Sequence, residues 1–182
     1  GLFTCILAFM VWRSRKDDPT LNKLGLAAVA MVVVQGLLGG MTVLLKLPPA
    51  VSMTHLALSM FFFSFLMYFT FRLWPGKVEG LEVEPTIAPR RWAAIAAVAV
   101  YIQILLGGLV RHSAAGTACG TSLPWCNGSA WPLAWGGQAQ MIHRYGGIIV
   151  GIIIIIAAAN VAWSALHHKK ALAFKLAVIS PF

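Results

Sequence analysis

Two histidines stand inside apolar stretches of this chain: His55 in MTHLALS and His143 in MIHRYGG. An ionisable side chain at membrane depth is costly unless paired, so such a residue is a functional candidate by default. Neutral imidazole is the usual axial ligand of heme iron, although a lone helix histidine also serves as a hydrogen-bonding partner between helices. Two histidines at matching depth in matching segments favour the ligand reading, which makes His55 and His143 the metal-binding candidates. Gly146 and Gly147 lie three and four residues after His143, on its helix face, and Ser59 lies four after His55. These positions would leave room for a flat ligand, while helix packing alone explains the glycines equally well. Arg111 and Arg144 stand where heme propionates would need cations; snorkelling to lipid phosphates is the alternative. Met53 and Met141 precede their histidines by two residues, on another helix face, and are not proposed as ligands.

A second constellation lies between Arg111 and Gln140, in RHSAAGTACGTSLPWCNGSAWP. Six residues separate Cys119 from Cys126, and a loop of that size closes into a disulfide if its turns allow. Gly120, Pro124 and Gly128 supply turn chemistry. Two free thiols remain the alternative. The spacing does not suit a zinc site, and further ligands are not clustered nearby. Cys5 is expected to be a small buried hydrophobe.

These groups need elements to hold them. Of the 182 residues, 59% are hydrophobic and 10% charged, against about a quarter charged in soluble domains. The mean hydropathy is +0.81. The composition points to an all-α polytopic transmembrane helical bundle. A bilayer core of about 30 Å takes about 20 apolar residues as helix. Four complete spans are expected at Leu24–Leu45, Val51–Phe71, Trp92–Val110 and Met141–Trp163. Two truncated spans are expected at Gly1–Trp12 and from Ala171 onward. Because both ends fall inside apolar runs, the chain is expected to be an internal piece of a longer protein, a single transmembrane domain over 1–182.

The formal charge of +9 is not a nucleic-acid signature, because the basic residues cluster at the ends of apolar runs. Arg13, Arg15, Lys16, Lys23, Arg72, Lys77, Arg90, Arg91, Lys169 and Lys170 fall on one side of an alternating topology. Lys46, Arg111 and Arg144 fall on the other. The positive-inside rule places the first set in the cytoplasm and the Arg111–Gln140 loop outside. The outer side is oxidising enough to keep a disulfide. Two outward-running helices share a segment, QGLLGGMTV from Gln35 and QILLGGLVR from Gln103, and each is followed by a helix bearing one of the histidines. This is a parallel internal repeat, with 1–91 part of a first helical half and 92–182 part of a second. Gln35 and Gln103 either bond across helices or line a pocket.

Taken together, GGLVRHSAAGTACGTSLPWCNG, IHRYGG and QGLLGGMTVLLKLPPAVSMTHLALS resemble the heme A synthase family over essentially the whole chain. The resemblance implies eight transmembrane helices in two four-helix halves, of which this chain covers the end of the second to the start of the seventh. It implies an enzyme oxidising a methyl group of heme O to the formyl group of heme A, for terminal oxidase assembly in a bacterial plasma membrane. It implies a pair of histidines in each half. His55 falls on the substrate side, the catalytic position, and His143 on the side of a heme b cofactor. Arg144 and Arg111 become cofactor-binding, and Cys119 and Cys126 become a disulfide. The lipid bilayer, substrate heme O, a heme O synthase and an electron donor are the implied partners. The outer loop would cap the mouth of the pocket, its tryptophans at the interface. An acidic residue of the E-x-x-H-R type is implied for the first half, before Gly1; in the second-half match the position three before His143 is Gln140, not Glu, and the loop lacks the family's Asp. Two rival functions share these features: a bis-histidine heme b electron-transfer protein, and a transporter built from repeats.

Overall fold

A computed structural model describes residues 1–15, 17–74, 87–113 and 115–167. Five helices follow one another: α1 (Leu2–Ser14), α2 (Pro19–Leu44), α3 (Pro49–Leu73), α4 (Ile87–His112) and α5 (Trp135–His167). A short 3₁₀ turn, Ala115–Thr117, precedes α5. Among the described residues the only other regular pairing is one isolated bridge, Cys126 to Ser129. The fold is all-α, and α2 to α5 are each long and apolar enough to cross a membrane. The protein is a multi-pass membrane protein. Lys16, Lys77, His168, Lys169, Lys170 and the span expected from Ala171 lie outside the described residues.

Helices prevail because a segment in hydrocarbon must satisfy its own backbone polar groups. The bounds exceed the apolar runs because capping acts in the polar zone beyond them. At the start of α2 the Asp18 carboxylate accepts from Thr20 N at 2.9 Å and Leu21 N at 3.0 Å, and Pro19 occupies a first-turn position whose N–H is dispensable. Its far end closes with Leu47 N–H on Thr42 O at 2.7 Å and Lys46 N–H on Val43 O at 3.1 Å, the paired bonds of a Schellman stop. The stop requires left-handed backbone at Lys46 (φ 56°) and Leu47 (φ 60°), a conformation costing roughly 1–2 kcal/mol for a residue with a Cβ. Pro48 and Pro49 then launch α3. The turn is tight, so α3 runs back along α2.

The chain divides into two compact units, Gly1–Pro75 and Gly76–Phe182. In the first, Val11, Leu21, Ala28 and Phe69 form a buried cluster lined by Leu7, Leu24, Phe62, Phe65, Leu66 and Leu73. α1 comes close to α2 at Gly25, where an added Cβ would lie 3.6 Å from the Ala8 Cα, the small-residue contact usual between membrane helices. In the second unit α4 packs along α5, with Val110, Ala115 and Ala139 buried between helix ends and turn. Large apolar side chains such as Leu37, Val43, Phe61, Phe71, Ile148 and Ile155 are exposed outside both cores, as suits helices that meet lipid or other helices. Cys5 is a correction to the expectation of burial: it is exposed on α1, on a helix whose outward face also carries Phe3, Ile6 and Phe9.

Stability follows from these contacts. Phe69→Ala should cost about 3–5 kcal/mol, as an emptied aromatic core site does, and Asp18→Ala about 1 kcal/mol, as a lost N-cap does. Denaturant unfolding in detergent should therefore show a much larger midpoint loss for Phe69→Ala. Equal losses would contradict this packing.

Candidate heme-binding site and its lid

In the first unit His55 lies one and a half turns into α3, partly buried. Its imidazole faces Gly39 of α2, where an added Cβ would stand 3.4 Å from Cε1 and 3.8 Å from Nε2. Four residues before Gly39, buried Gln35 accepts a hydrogen bond from Ser59 Oγ at 2.9 Å; the same oxygen lies 2.7 Å from the His55 carbonyl. His55 Nδ1 and Gln35 Nε2 are both buried and neither has a hydrogen-bond partner among the described residues.

The second unit repeats the plan. His143 of α5 faces Gly107 of α4, where a Cβ would stand 2.9 Å from Cε1 and 3.4 Å from Nε2. Four residues before Gly107, Gln103 crosses to α5 and its Nε2 donates to the His143 carbonyl at 2.8 Å, lying 2.9 Å from His143 Nδ1. The question left open for the glutamines is thus answered: both bond across helices. The room expected beside Gly146 and Gly147 has a different occupant. Cβ atoms there would lie 2.6 Å from Gln103 Oε1 and 3.2 Å from Gln103 Nε2, so these glycines admit the amide.

Above His143 the loop is held to α5 by side chains around the histidine. Arg144 Nη1 donates to the carbonyls of Ser122, Pro124 and Trp125 at 2.9, 3.2 and 3.4 Å. Gln140 Nε2 donates to the carbonyls of Ala115 and Gly116 at 3.0 and 2.6 Å, and Tyr145 Oη to that of Ala130 at 2.9 Å. Cys119 and Cys126 form a disulfide, which packs with Tyr145 on fully buried Met141. Gly120 (φ 54°) and Gly128 (φ 82°) turn the chain where turns were expected, and Asn127 (φ 50°) adds a third left-handed position. Arg111, by contrast, is exposed in the last turn of α4 and has no hydrogen bond among the described residues. Sequence reasoning missed Gln140 and Tyr145 as latches. The available signal was their clustering with Arg144 within six positions of one helix.

Residues 1–180 match the COX15-CtaA family, described as cytochrome oxidase assembly protein. The chain belongs to that family. Similar proteins within reach of this sequence carry the name Heme A synthase. One from Symbiobacterium thermophilum is 31% identical over 164 residues, covering 85% of this chain and 53% of the relative. One from Shouchella clausii is 24% identical over 160 residues (86% and 53%), and one from Shewanella oneidensis 32% over 132 residues (71% and 38%). The chain thus spans about half the length of relatives it matches.

The relatives' name points to heme, and the donor set of this chain suits a heme better than a small metal ion. A small metal ion wants three or four converging ligands, and among the described residues no group of three His, Cys, Asp or Glu converges. Heme asks only for axial nitrogen, and each unit offers one half-buried imidazole beside a glycine of the neighbouring helix. His55 Nδ1 is buried and has no hydrogen-bond partner among the described residues, the orphaned polar atom a ligand would complete. The residues present fit a heme.

The latch makes a direct prediction. Hydrogen bonds from a charged donor are worth about 1.5–3 kcal/mol, so Arg144→Met should speed amide exchange across the Ser122–Asn127 segment by about 10–100-fold. Tyr145→Phe should have a smaller effect confined to the Ala130 side. Unchanged exchange in Arg144→Met would show that the loop does not depend on this latch.

Proposed function

We propose that the protein is a heme A synthase, an enzyme that oxidises a methyl group of heme O to the formyl group of heme A. The observation that carries this reading is the matched arrangement of histidine, facing glycine and crossing glutamine in both units of a chain belonging to this family. On this reading His143 holds a heme b cofactor and His55 the substrate heme O, with partner histidines in parts of the protein beyond this chain. The heme supplies the redox chemistry when bound; the protein fixes its ligation, polarity and access.

Each residue then has a task. Gly39 and Gly107 keep methyl groups out of the space beside the imidazoles. Arg111, with no hydrogen-bond partner among the described residues, is the cation best placed in chemistry for a propionate. Arg144 has one nitrogen spent on the loop and the rest of its guanidinium for a second carboxylate. The disulfide-braced loop covers the turn that carries His143 and excludes water above it. Its Trp125 and Trp131, both exposed, suit a membrane interface. The basic residues at the opposite helix ends orient this loop to the outer face of a bacterial plasma membrane, where a heme O synthase and an electron donor would be its neighbours.

Co-expression of the full-length protein with a source of heme O, followed by pigment extraction, tests the reading. The wild type should accumulate heme A. His55→Ala should yield none while keeping the heme b spectrum, and His143→Ala should lose heme b. A wild type that carries heme b and makes no heme A would be an electron carrier, and one without any heme absorption would contradict the reading outright.

A further inference from the structure

The two units share three positions and differ at two others. Glutamine, the glycine four residues later and the opposing histidine are common to both, but the residues three and four after the histidine are Gly146 and Gly147 in one and Leu58 and Ser59 in the other. We propose that Gln103 is the positioning residue of His143, its amide selecting which ring nitrogen is free to bind a metal. We propose further that the residues three and four after each histidine decide whether the glutamine reaches the ring. The proposal rests on the reading of His143 as a heme ligand.

The amide nitrogen of Gln103 can only donate. Placed 2.9 Å from Nδ1, it makes that ring nitrogen an acceptor, so the neutral imidazole carries its proton on Nε2. A ring that offers Nε2 to iron instead carries the proton on Nδ1 and needs an acceptor beside it. Gln103 has that acceptor on the same amide: its Oε1 is buried and makes no hydrogen bond among the described residues. Rotating the amide presents Oε1 to the Nδ1 proton at the cost of the bond from Nε2 to the His143 carbonyl, from which the oxygen must shift away. One side chain therefore serves both tautomers, which glutamate, an acceptor only when ionised, and methionine do not.

Space decides whether the glutamine has this freedom. At Gly146 and Gly147 an added Cβ would meet Gln103 Oε1 at 2.6 Å and Nε2 at 3.2 Å. In the other unit Leu58 and Ser59 take the matching places, and the Ser59 hydroxyl holds Gln35 Oε1 at 2.9 Å. The result is visible in the orphaned pair: His55 Nδ1 and Gln35 Nε2 are both buried without partners among the described residues. One imidazole is held by a hydrogen bond at Nδ1, as suits a resident heme, and the other is not, as suits a heme that exchanges.

The test uses the full-length protein in detergent, with heme release into excess apomyoglobin as the main readout. In a His55→Ala background, which isolates the His143 site, Gln103→Met should release heme about 10–100-fold faster, the usual penalty for removing the partner of a ligating histidine. Gly147→Ser should behave in the same way. Gln103→Glu should restore slow release and shift the heme reduction potential to more negative values. In a His143→Ala background, the double variant Leu58→Gly/Ser59→Gly should slow release from the His55 site. Wild-type release in Gln103→Met, release from Gln103→Glu as fast as from Gln103→Met, or no change in Leu58→Gly/Ser59→Gly overturns the proposal, provided heme is present in the parent. A parent protein devoid of heme overturns the ligand reading as well, so the two failures are told apart.

Discussion

Inside a bilayer a polar side chain has only the protein to bond with. Water cannot complete an imidazole or an amide there, so each must find its partner on a neighbouring helix or go without. That constraint organises both units of this chain. Each bonds a glutamine on one helix to the helix that carries its histidine, and each sets a glycine opposite the ring so the helices come close enough. Where the polar atoms pair, as at Gln103 and His143, the ring is fixed. Where they do not, as at His55 Nδ1, an unsatisfied atom persists, and such atoms mark places where a ligand or motion has a use.

The same constraint explains the lid. The polar residues flanking His143 on α5, Gln140, Arg144 and Tyr145, turn to loop carbonyls. The disulfide lies on Met141, two residues from the histidine. Loop and ligand candidate therefore share one turn of helix, and a disturbance of the first reaches the second. In the family's E-x-x-H-R motif the first position is acidic, whereas here Gln140 donates to carbonyls, a task a carboxylate could not perform.

Much of this was legible in the sequence, and the rest was hidden for identifiable reasons. The spans were readable because hydrocarbon demands apolar runs, but the helices start earlier than the runs. α2 begins at Pro19 because Asp18 caps it, and α5 begins at Trp135 because the polar zone holds helix as readily as the core does. His55, His143 and the cysteine pair stood out by rarity. Gly146 and Gly147 suggested space without saying what fills it; a sequence cannot show that Gln103, some forty positions earlier, arrives there. The latches were harder still, since their acceptors are backbone carbonyls, which carry no residue identity. Cys5 was expected inside because apolar means buried in water, whereas in lipid an apolar face is just as well exposed.

The central claim is that His55 and His143 present their imidazoles to heme, one in each unit. A cryo-EM structure of the full-length protein purified with its native heme tests it most directly. The account predicts iron bonded to Nε2 of His143, with the Gln103 amide oxygen turned to Nδ1, and a second heme position at His55. Heme ligated by other residues, with His143 still holding its Nδ1 against the Gln103 amide nitrogen, would contradict it.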